Sequence, residues 1–122
     1  MKELEGRVGI VTGGSSGIGY AIANTLAQAG AVVYAISRTG AVKDGMPPSA
    51  DGVIHRQGDV TDFTAMAALG EEIGSRDGLD FLINDAGITQ KCRAEDFPME
   101  DFQRILEVNV TSVFRLCQLC YP

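Results

Sequence analysis

The sequence is poor in the residues that mark several classes of protein. Its three cysteines are an odd number, which suits the reducing cytosol better than a disulfide framework. Ten basic against sixteen acidic residues give a net charge of −6 without basic clusters, which argues against nucleic acid or an anionic membrane surface as partner. No apolar run approaches the ~18 residues of a membrane span, and no signal peptide is recognisable. These absences predict a cytoplasmic protein without membrane or nucleic-acid partners.

The chain does contain enough apolar sequence for one core, since 45% of its 122 residues are hydrophobic. Apolar patterning predicts strands and helices in alternation. The predicted strands are 7–12, 31–36, 53–57 and 79–83, and the predicted helices are 18–29, one from about 61, and one from about 99 to 120. Residues 37–52 lack a helical period and are predicted to form a loop. This alternation is typical of a doubly wound parallel α/β sheet.

Each unusual segment of the sequence directly follows a predicted strand. These segments are the glycine-rich stretch after the first strand, Ser37–Arg38, Asp59–Val60 and Asn84–Gly87. In open α/β sheets, ligands bind outside the carboxyl ends of the strands, where the winding reverses. We therefore expect the four segments to converge on one binding rim.

The stretch VTGGSSGIG holds glycines at Gly13, Gly17 and Gly19. Glycines let the backbone approach a ligand closely, and the first turn of the next helix presents free amides and a positive dipole to a phosphate. Ser15 and Ser16 can add hydroxyl donors. The spacing matches neither the GxGxxG fingerprint nor the P-loop. A tight strand-to-helix turn without a ligand is the alternative.

Four motifs together resemble the short-chain dehydrogenase/reductase family. They are Thr12-Gly13-x-x-x-Gly17-Ile18-Gly19, Asp59-Val60, Asn84-Asp85-Ala86-Gly87 and Asn109-Val110, in the order and near the spacing that the family shows. The resemblance covers the whole chain. It implies a Rossmann-type doubly wound parallel sheet, with about four strands in the order 3-2-1-4 and helices on both faces. It also implies that NAD or NADP binds for hydride transfer.

The resemblance also implies roles for individual residues. Asp59 and Val60 would contact the adenine, while Asn84, Ala86 and Gly87 would support the sheet and line the adenine ribose. The full set of expected cofactor-binding residues is Gly13, Ser15, Ser16, Gly17, Ile18, Gly19, Ser37, Arg38, Asp59, Val60, Asn84, Ala86 and Gly87. The family more often has asparagine at the position of Asp85, and we expect a small effect from this difference.

The residues after the second strand favour NADP over NAD. NAD-preferring sites commonly place an acidic residue there, to accept hydrogen bonds from the ribose 2′-hydroxyl. This chain has Ser37 and Arg38 instead, and a hydroxyl with a guanidinium suits a 2′-phosphate. Two observations weigh against NADP: Arg38 can be an ordinary solvated arginine, and many NADP-using relatives carry a basic residue where this chain has Ser16.

Apolar side chains between residues 99 and 120 cover most of the circumference of the last predicted helix, so we expect it to be buried on two sides. Relatives pair their subunits through this helix, which implies a homo-oligomer. Asn109 falls inside the apolar arc and is expected to be buried. By resemblance, Asn109 belongs to an Asn-Ser-Tyr-Lys catalytic set; the alternative is a core asparagine bonded to backbone. Cys117 and Cys120 also permit a weaker metal or redox interpretation.

The 122 residues do not include the family's catalytic Tyr-x-x-x-Lys pair, because no tyrosine is followed by lysine four residues later. We therefore expect residues 1–122 to be the N-terminal dinucleotide-binding part of one Rossmann-type domain, without its catalytic and substrate-binding half. Such a fragment of a ketone/alcohol oxidoreductase should be inactive. The alternatives are a non-catalytic nucleotide-binding or oligomerisation module and, less favoured by the glycine spacing, a sugar-nucleotide epimerase relative.

Overall fold

A computed structural model describes residues 2–121, without the side chains of residues 76 and 77. Four strands form one parallel sheet in the order β3-β2-β1-β4. The strands are β1 (Val8–Thr12), β2 (Val32–Ser37), β3 (Val53–Gln57) and β4 (Phe81–Asn84). The predicted fold class and strand order are therefore confirmed. The strand order brings the carboxyl ends of β1, β2 and β4 side by side.

Helices follow three of the strands. They are α1 (Gly17–Gln28), α2 (Phe63–Asp77), α3 (Met99–Leu106) and α4 (Ser112–Cys120), with a short 3₁₀ turn at Ala94–Asp96. Asp62 caps α2, because its carboxylate accepts a hydrogen bond from the Ala65 amide. Within residues 2–121, no helix combines the length and the apolar character that crossing a membrane requires.

The prediction of one continuous helix over 99–120 is wrong in its middle. A π-helical turn, Glu107–Thr111, separates α3 from α4. The Ser112 hydroxyl donates to the carbonyl oxygen of Val108, four residues earlier. That oxygen is the one an α-helical Ser112 amide bonds, so the side chain competes with regular α-helical hydrogen bonding at this point. The wider turn contains Asn109 and Val110.

The core lies on both faces of the sheet, as the apolar run of the second strand predicts. On one face, Val11, Val33 and Ala35 pack against Ala23 and Ala27 of α1. The other face packs against α2 and α4. Its buried members include Ile10, Tyr34 and Ile36 of the sheet, Met66 and Ile73 of α2, and Leu116 of α4. Alternate residues of β1 and β2 thus serve opposite faces, which fixes the strand register.

The connection between β2 and β3 is the predicted loop, and it is held against α1. The Tyr20 hydroxyl bonds to the Pro47 carbonyl oxygen, and Asn24 Oδ1 accepts from the Ala50 amide at 2.8 Å. The Lys43 amide donates to the Ser15 carbonyl oxygen at 2.9 Å. These contacts place the loop beside the glycine-rich stretch.

The outer face of α3 and α4 differs from the expectation of burial on two sides. Val108, Ser112 and Leu116 are buried against the sheet side. The opposite face exposes 43–66% of each large apolar side chain, at Met99, Phe102, Leu106, Val110 and Phe114. The sequence pattern showed that apolar side chains cover most of the helix circumference, but among residues 2–121 only the sheet side is buried, and the outer side has no more than the edge contact of Phe102 with Phe97.

Candidate functional site

The glycine-rich turn joins β1 to α1 in a conformation that requires glycine at two points. Gly13 and Gly17 have φ angles of +69° and +58°, in the left-handed region. At Gly19 a Cβ atom would lie 2.3 Å from the Gly13 carbonyl oxygen, so any side chain there meets backbone. Ser16 is the N-cap of α1 but makes no side-chain capping bond. Its hydroxyl and the first amides of α1 therefore remain available to a ligand.

Thr12, the last residue of β1, ties this turn to the end of β4. Its Oγ1 atom accepts hydrogen bonds from the amides of Asp85 and Ala86, both at 3.1 Å, and the residue is 1% exposed. Gly13 then packs so closely on Ala86 that a Cβ atom would lie 3.0 Å from the Ala86 backbone. Sequence reasoning gave Thr12 no role, although a hydroxyl at the end of an apolar strand is a usable signal.

Ser37 and Arg38 stand at the end of β2. Ser37 Oγ accepts a hydrogen bond from the Gly40 amide at 3.0 Å, which leaves the hydroxyl proton for another acceptor. Arg38 is exposed to solvent. Across from them, Asp59 Oδ1 accepts from the Thr61 hydroxyl at 2.7 Å and from the Thr61 amide at 2.9 Å.

The Thr61 hydroxyl and amide bonds hold the pKa of Asp59 below its ordinary value, and the nearby charges of Arg38 and Arg104 lower the pKa further. Asp59 is therefore a carboxylate at neutral pH. As such it can accept a hydrogen bond from an amino group such as that of adenine.

One cavity of about 440 Å³ collects most of the predicted residues. Its walls include Gly13, Ser15, Ser16, Gly17, Ile18, Ser37, Arg38, Asp59, Val60, Ala86 and Gly87. Its volume lies in the range of small-molecule sites. Three predicted residues, Gly19, Asn84 and Asn109, do not line it. Gly19 lies behind the turn, where it makes room for the Gly13 carbonyl.

The cavity also has walls that the sequence did not predict. They are Ile36, Thr39, Gly58, Asp85, Ile88, Arg104 and Val108. Arg104 and Val108 are one turn apart on α3 and the π-helical turn, far along the chain from the other segments. Arg104 lies on the narrow polar strip outside the apolar arc of the helix, and the sequence does not show that this strip meets the end of the sheet.

Asn84 supports the sheet from outside the cavity. Its Nδ2 atom lies 3.6 Å from the Cys117 sulfur, a weak contact to α4. Its Oδ1 atom is buried, and no hydrogen-bond partner for it exists among the described residues. The structure therefore places Asn84 between β4 and α4, whereas Ala86 and Gly87 continue to the cavity wall.

Asn109 is exposed, so the expectation that it is buried is wrong. The apolar arc around it belongs largely to the face of α3 and α4 that is exposed in the described part of the chain. Its side-chain amide nevertheless makes two hydrogen bonds. Oδ1 accepts from the Ile88 amide and Nδ2 donates to the Ile88 carbonyl oxygen, both at 2.8 Å. This is the backbone-bonded arrangement, and it fastens the π-helical turn to the segment after β4.

The metal interpretation of the cysteines gains no support. Across residues 2–121, no cluster of three or more histidine, cysteine or acidic side chains has metal-binding geometry. All three cysteines are free thiols. Burial raises the pKa of Cys120, which keeps that thiol protonated and a poor metal ligand at neutral pH.

The cavity offers two kinds of donors at separate places. Free amides and hydroxyls lie at the start of α1, and a hydroxyl with a guanidinium lies at the end of β2. The first set suits a diphosphate, and the second suits the substituted ribose of an adenosine. Gly13 lets the turn pack on the Ala86 backbone, while at Gly17, which lines the cavity, nothing lies within 4 Å of the position a Cβ atom would take. The residues present thus fit the adenosine half of a dinucleotide.

Comparison with known proteins agrees with this geometry. The model of the short chain dehydrogenase family matches residues 7–122. A 2-dehydro-3-deoxy-D-gluconate 5-dehydrogenase of Bacillus subtilis is 36% identical, over 95% of this chain and 47% of its own length. A D-beta-hydroxybutyrate dehydrogenase of Rhizobium meliloti is 35% identical, over 95% of this chain and 48% of its own length.

Solved structures give the same result. A short-chain dehydrogenase/reductase from Serratia marcescens superposes with a TM-score of 0.80 at 35% identity, covering 96% of this chain and 52% of that one. The chain thus spans about half the length of the curated relatives it matches. Because the family match extends over nearly the whole sequence and agrees with the strand order, the chain belongs to the short-chain dehydrogenase family.

Proposed function

We propose that residues 1–122 bind the adenosine diphosphate part of NADP, as the N-terminal dinucleotide-binding half of one Rossmann-type domain. The observation that carries the proposal is that the glycine turn, Ser37–Arg38 and Asp59–Val60 line one and the same cavity. The turn and the start of α1 would hold the diphosphate. Ser37 and Arg38 would hold a 2′-phosphate, and Asp59 would accept from the adenine amino group.

The whole protein, in this proposal, is a cytoplasmic oxidoreductase that interconverts a ketone and an alcohol. The names of the relatives, both dehydrogenases, support this class. The cofactor supplies or accepts the hydride when bound, while this chain's residues bind and orient its adenosine half. Asn109 would contribute to the catalytic set from the π-helical turn, which its hydrogen bonds to Ile88 hold in place. Without the serine and the Tyr-x-x-x-Lys pair, these 122 residues alone should not transfer hydride.

A non-catalytic nucleotide-binding or oligomerisation module is the alternative class. The coding sequence beyond codon 122 separates the two. A reading frame that continues into a serine and a Tyr-x-x-x-Lys pair supports the oxidoreductase, and a native stop codon after codon 122 supports the module.

Cofactor choice is tested by the nucleotide that a Ser37→Asp variant prefers. We expect the wild-type chain to bind adenosine 2′,5′-bisphosphate about tenfold more tightly than adenosine 5′-monophosphate. The variant should reverse this order, because a carboxylate at the end of β2 accepts from the ribose 2′-hydroxyl and repels a 2′-phosphate. Isothermal titration of both nucleotides measures the preference.

Retained binding of the monophosphate shows that the Ser37→Asp variant is folded. A variant that still prefers the bisphosphate contradicts the placement of the 2′-phosphate at Ser37. A wild-type chain that binds neither nucleotide contradicts the proposed function itself.

We also propose that the chain self-associates through the exposed apolar face of α3 and α4. The apolar side chains on this face recur at helical spacing from Met99 to Phe114, as in a helix that packs against a partner. A second copy of the chain would cover it.

Sedimentation velocity over a range of concentrations tests the self-association. We expect the wild-type sedimentation coefficient to rise with concentration, and a Phe114→Gln variant to need about tenfold more protein for the same rise, because a large buried ring is lost from the contact. Met46→Gln, in the loop after β2, is the matched control and should behave like the wild type. A wild-type chain that stays monomeric at high concentration contradicts this proposal.

A further inference from the structure

Two arginines at the cavity differ from the other arginines whose side chains the structure describes. Arg7 pairs with Asp80, Arg56 with Glu72, Arg93 with Glu95, and Arg115 bonds to Gln118. Among the same described side chains, Arg38 and Arg104 make neither a hydrogen bond nor an ion pair. Both line the cavity. The unused guanidinium donors therefore face the place where a ligand would bind.

Arg104 reaches this cavity from an element different from that of Arg38. It lies on α3, one turn before Val108, whereas Arg38 follows β2. Asp59 lines the same cavity as Arg38 and Arg104, and the charges of both arginines lower the pKa of its carboxyl. The three side chains thus form one charged group at the adenosine end. Asp85, the other acidic wall residue, lies next to Gly19 at the glycine turn.

The balance of these charges depends on Arg104. Arg38 and Asp59 alone would cancel, and this end of the cavity would be neutral. With Arg104, the charged side chains that line this end of the cavity number two arginines and one aspartate, in a chain whose overall net charge is −6. A phosphate monoester adds about −1.5 to −2 charges at neutral pH. The two arginines, which lie apart from Asp85, would attract a phosphate group at this end of the cavity. They would not strengthen the binding of an unphosphorylated ribose.

We propose that Arg104 is a specificity-determining residue, whose guanidinium binds the ribose 2′-phosphate of the nucleotide together with that of Arg38. This inference rests on the proposed function, because it assumes that the cavity holds adenosine. It adds a second cationic ligand, contributed by α3, to the residues at the end of β2. Arg104 would thereby supply a positive charge that many NADP-using relatives place at the position of Ser16.

Arg104→Gln in the 122-residue chain tests the inference, with Arg115→Gln as the matched control. Each variant removes one exposed arginine, from α3 and from α4 respectively, but Arg115 does not line the cavity. We expect Arg104→Gln to weaken binding of adenosine 2′,5′-bisphosphate about tenfold, as loss of one charge-assisted contact does. Binding of adenosine 5′-monophosphate should change less than about twofold, and Arg115→Gln should change neither.

The outcomes separate the inference from the function on which it rests. A wild-type chain that binds neither nucleotide overturns the proposed function. Equal weakening of both nucleotides by Arg104→Gln assigns the side chain to the adenine or the 5′-phosphate and overturns the inference. Unchanged binding of both also overturns it. Arg104→Lys gives a second, independent measurement: it keeps the charge without the planar pair of donors and should fall between wild type and Arg104→Gln.

Discussion

Replacing Gly19 with alanine should weaken the binding of ADP more than tenfold and lower the free energy of unfolding by about 1–3 kcal/mol. The added Cβ atom would lie 2.3 Å from the Gly13 carbonyl oxygen and 2.5 Å from Asp85 Oδ2. The first neighbour is backbone, so the turn itself must shift. Since the amides proposed to hold the diphosphate belong to this turn, binding is lost together with stability. Titration calorimetry and urea unfolding measure the two effects.

Gly70→Ala is the matched control for this substitution. Gly70 lies within α2, and nothing lies within 4 Å of the Cβ atom that alanine would add. Because alanine is the better helix former, this variant should be more stable than wild type by about 0.5–1 kcal/mol and should bind ADP normally. A Gly19→Ala variant with ADP affinity within twofold of wild type would show that the turn is not the diphosphate-binding element.

Replacing Thr12 with valine should lower the free energy of unfolding by about 2–3 kcal/mol, because two amides lose their acceptor. Valine has nearly the same shape, so packing in this fully buried position is kept while the Oγ1 bonds to the Asp85 and Ala86 amides disappear. The segment after β4 then loses its attachment to β1. Its amides should exchange faster with deuterium, and nucleotide binding should weaken as the cavity wall moves.

Thr12→Ser distinguishes the hydrogen bonds from the packing. Serine keeps the acceptor and loses one buried methyl group, which costs about 1 kcal/mol. Urea unfolding should therefore rank the serine variant between wild type and Thr12→Val, with nearly normal protection of the Asp85 and Ala86 amides. A valine variant as stable as wild type would mean that Thr12 does not hold this segment.

The sequence correctly predicted the features that depend on a simple local pattern, such as a run of apolar residues or closely spaced glycines. The apolar run of β2 predicted a strand covered on both faces, and the structure buries it between two core clusters. Glycines at Gly13 and Gly17 predicted a turn with special backbone angles, and both have positive φ values. Such features depend on neighbours within a few residues, so the amino-acid sequence is enough to predict them.

The errors fall on residues whose surroundings come from distant parts of the chain. Asn109 lies in an apolar arc, which predicted burial, yet the outer side of that arc is exposed in the described part of the chain. Arg104 was given no role from the helical pattern, yet this exposed side chain lines the cavity. A helical pattern gives the direction of each side chain relative to the helix axis and says nothing about what the helix meets.

By itself, the sequence determined the alternation of strands and helices and the glycine turn, because periodicity and glycine placement act locally. The parallel doubly wound sheet and the meeting of four segments at one rim followed from the general rule for such an alternation. Only the tertiary structure decided three other features: that Thr12 holds the end of β4, that α3 brings Arg104 to the adenosine end of the cavity, and that Asn109 is fastened to Ile88. Each depends on the packing of elements that lie far apart in the chain, since a hydrogen bond or a shared cavity wall exists only once both sides are in place.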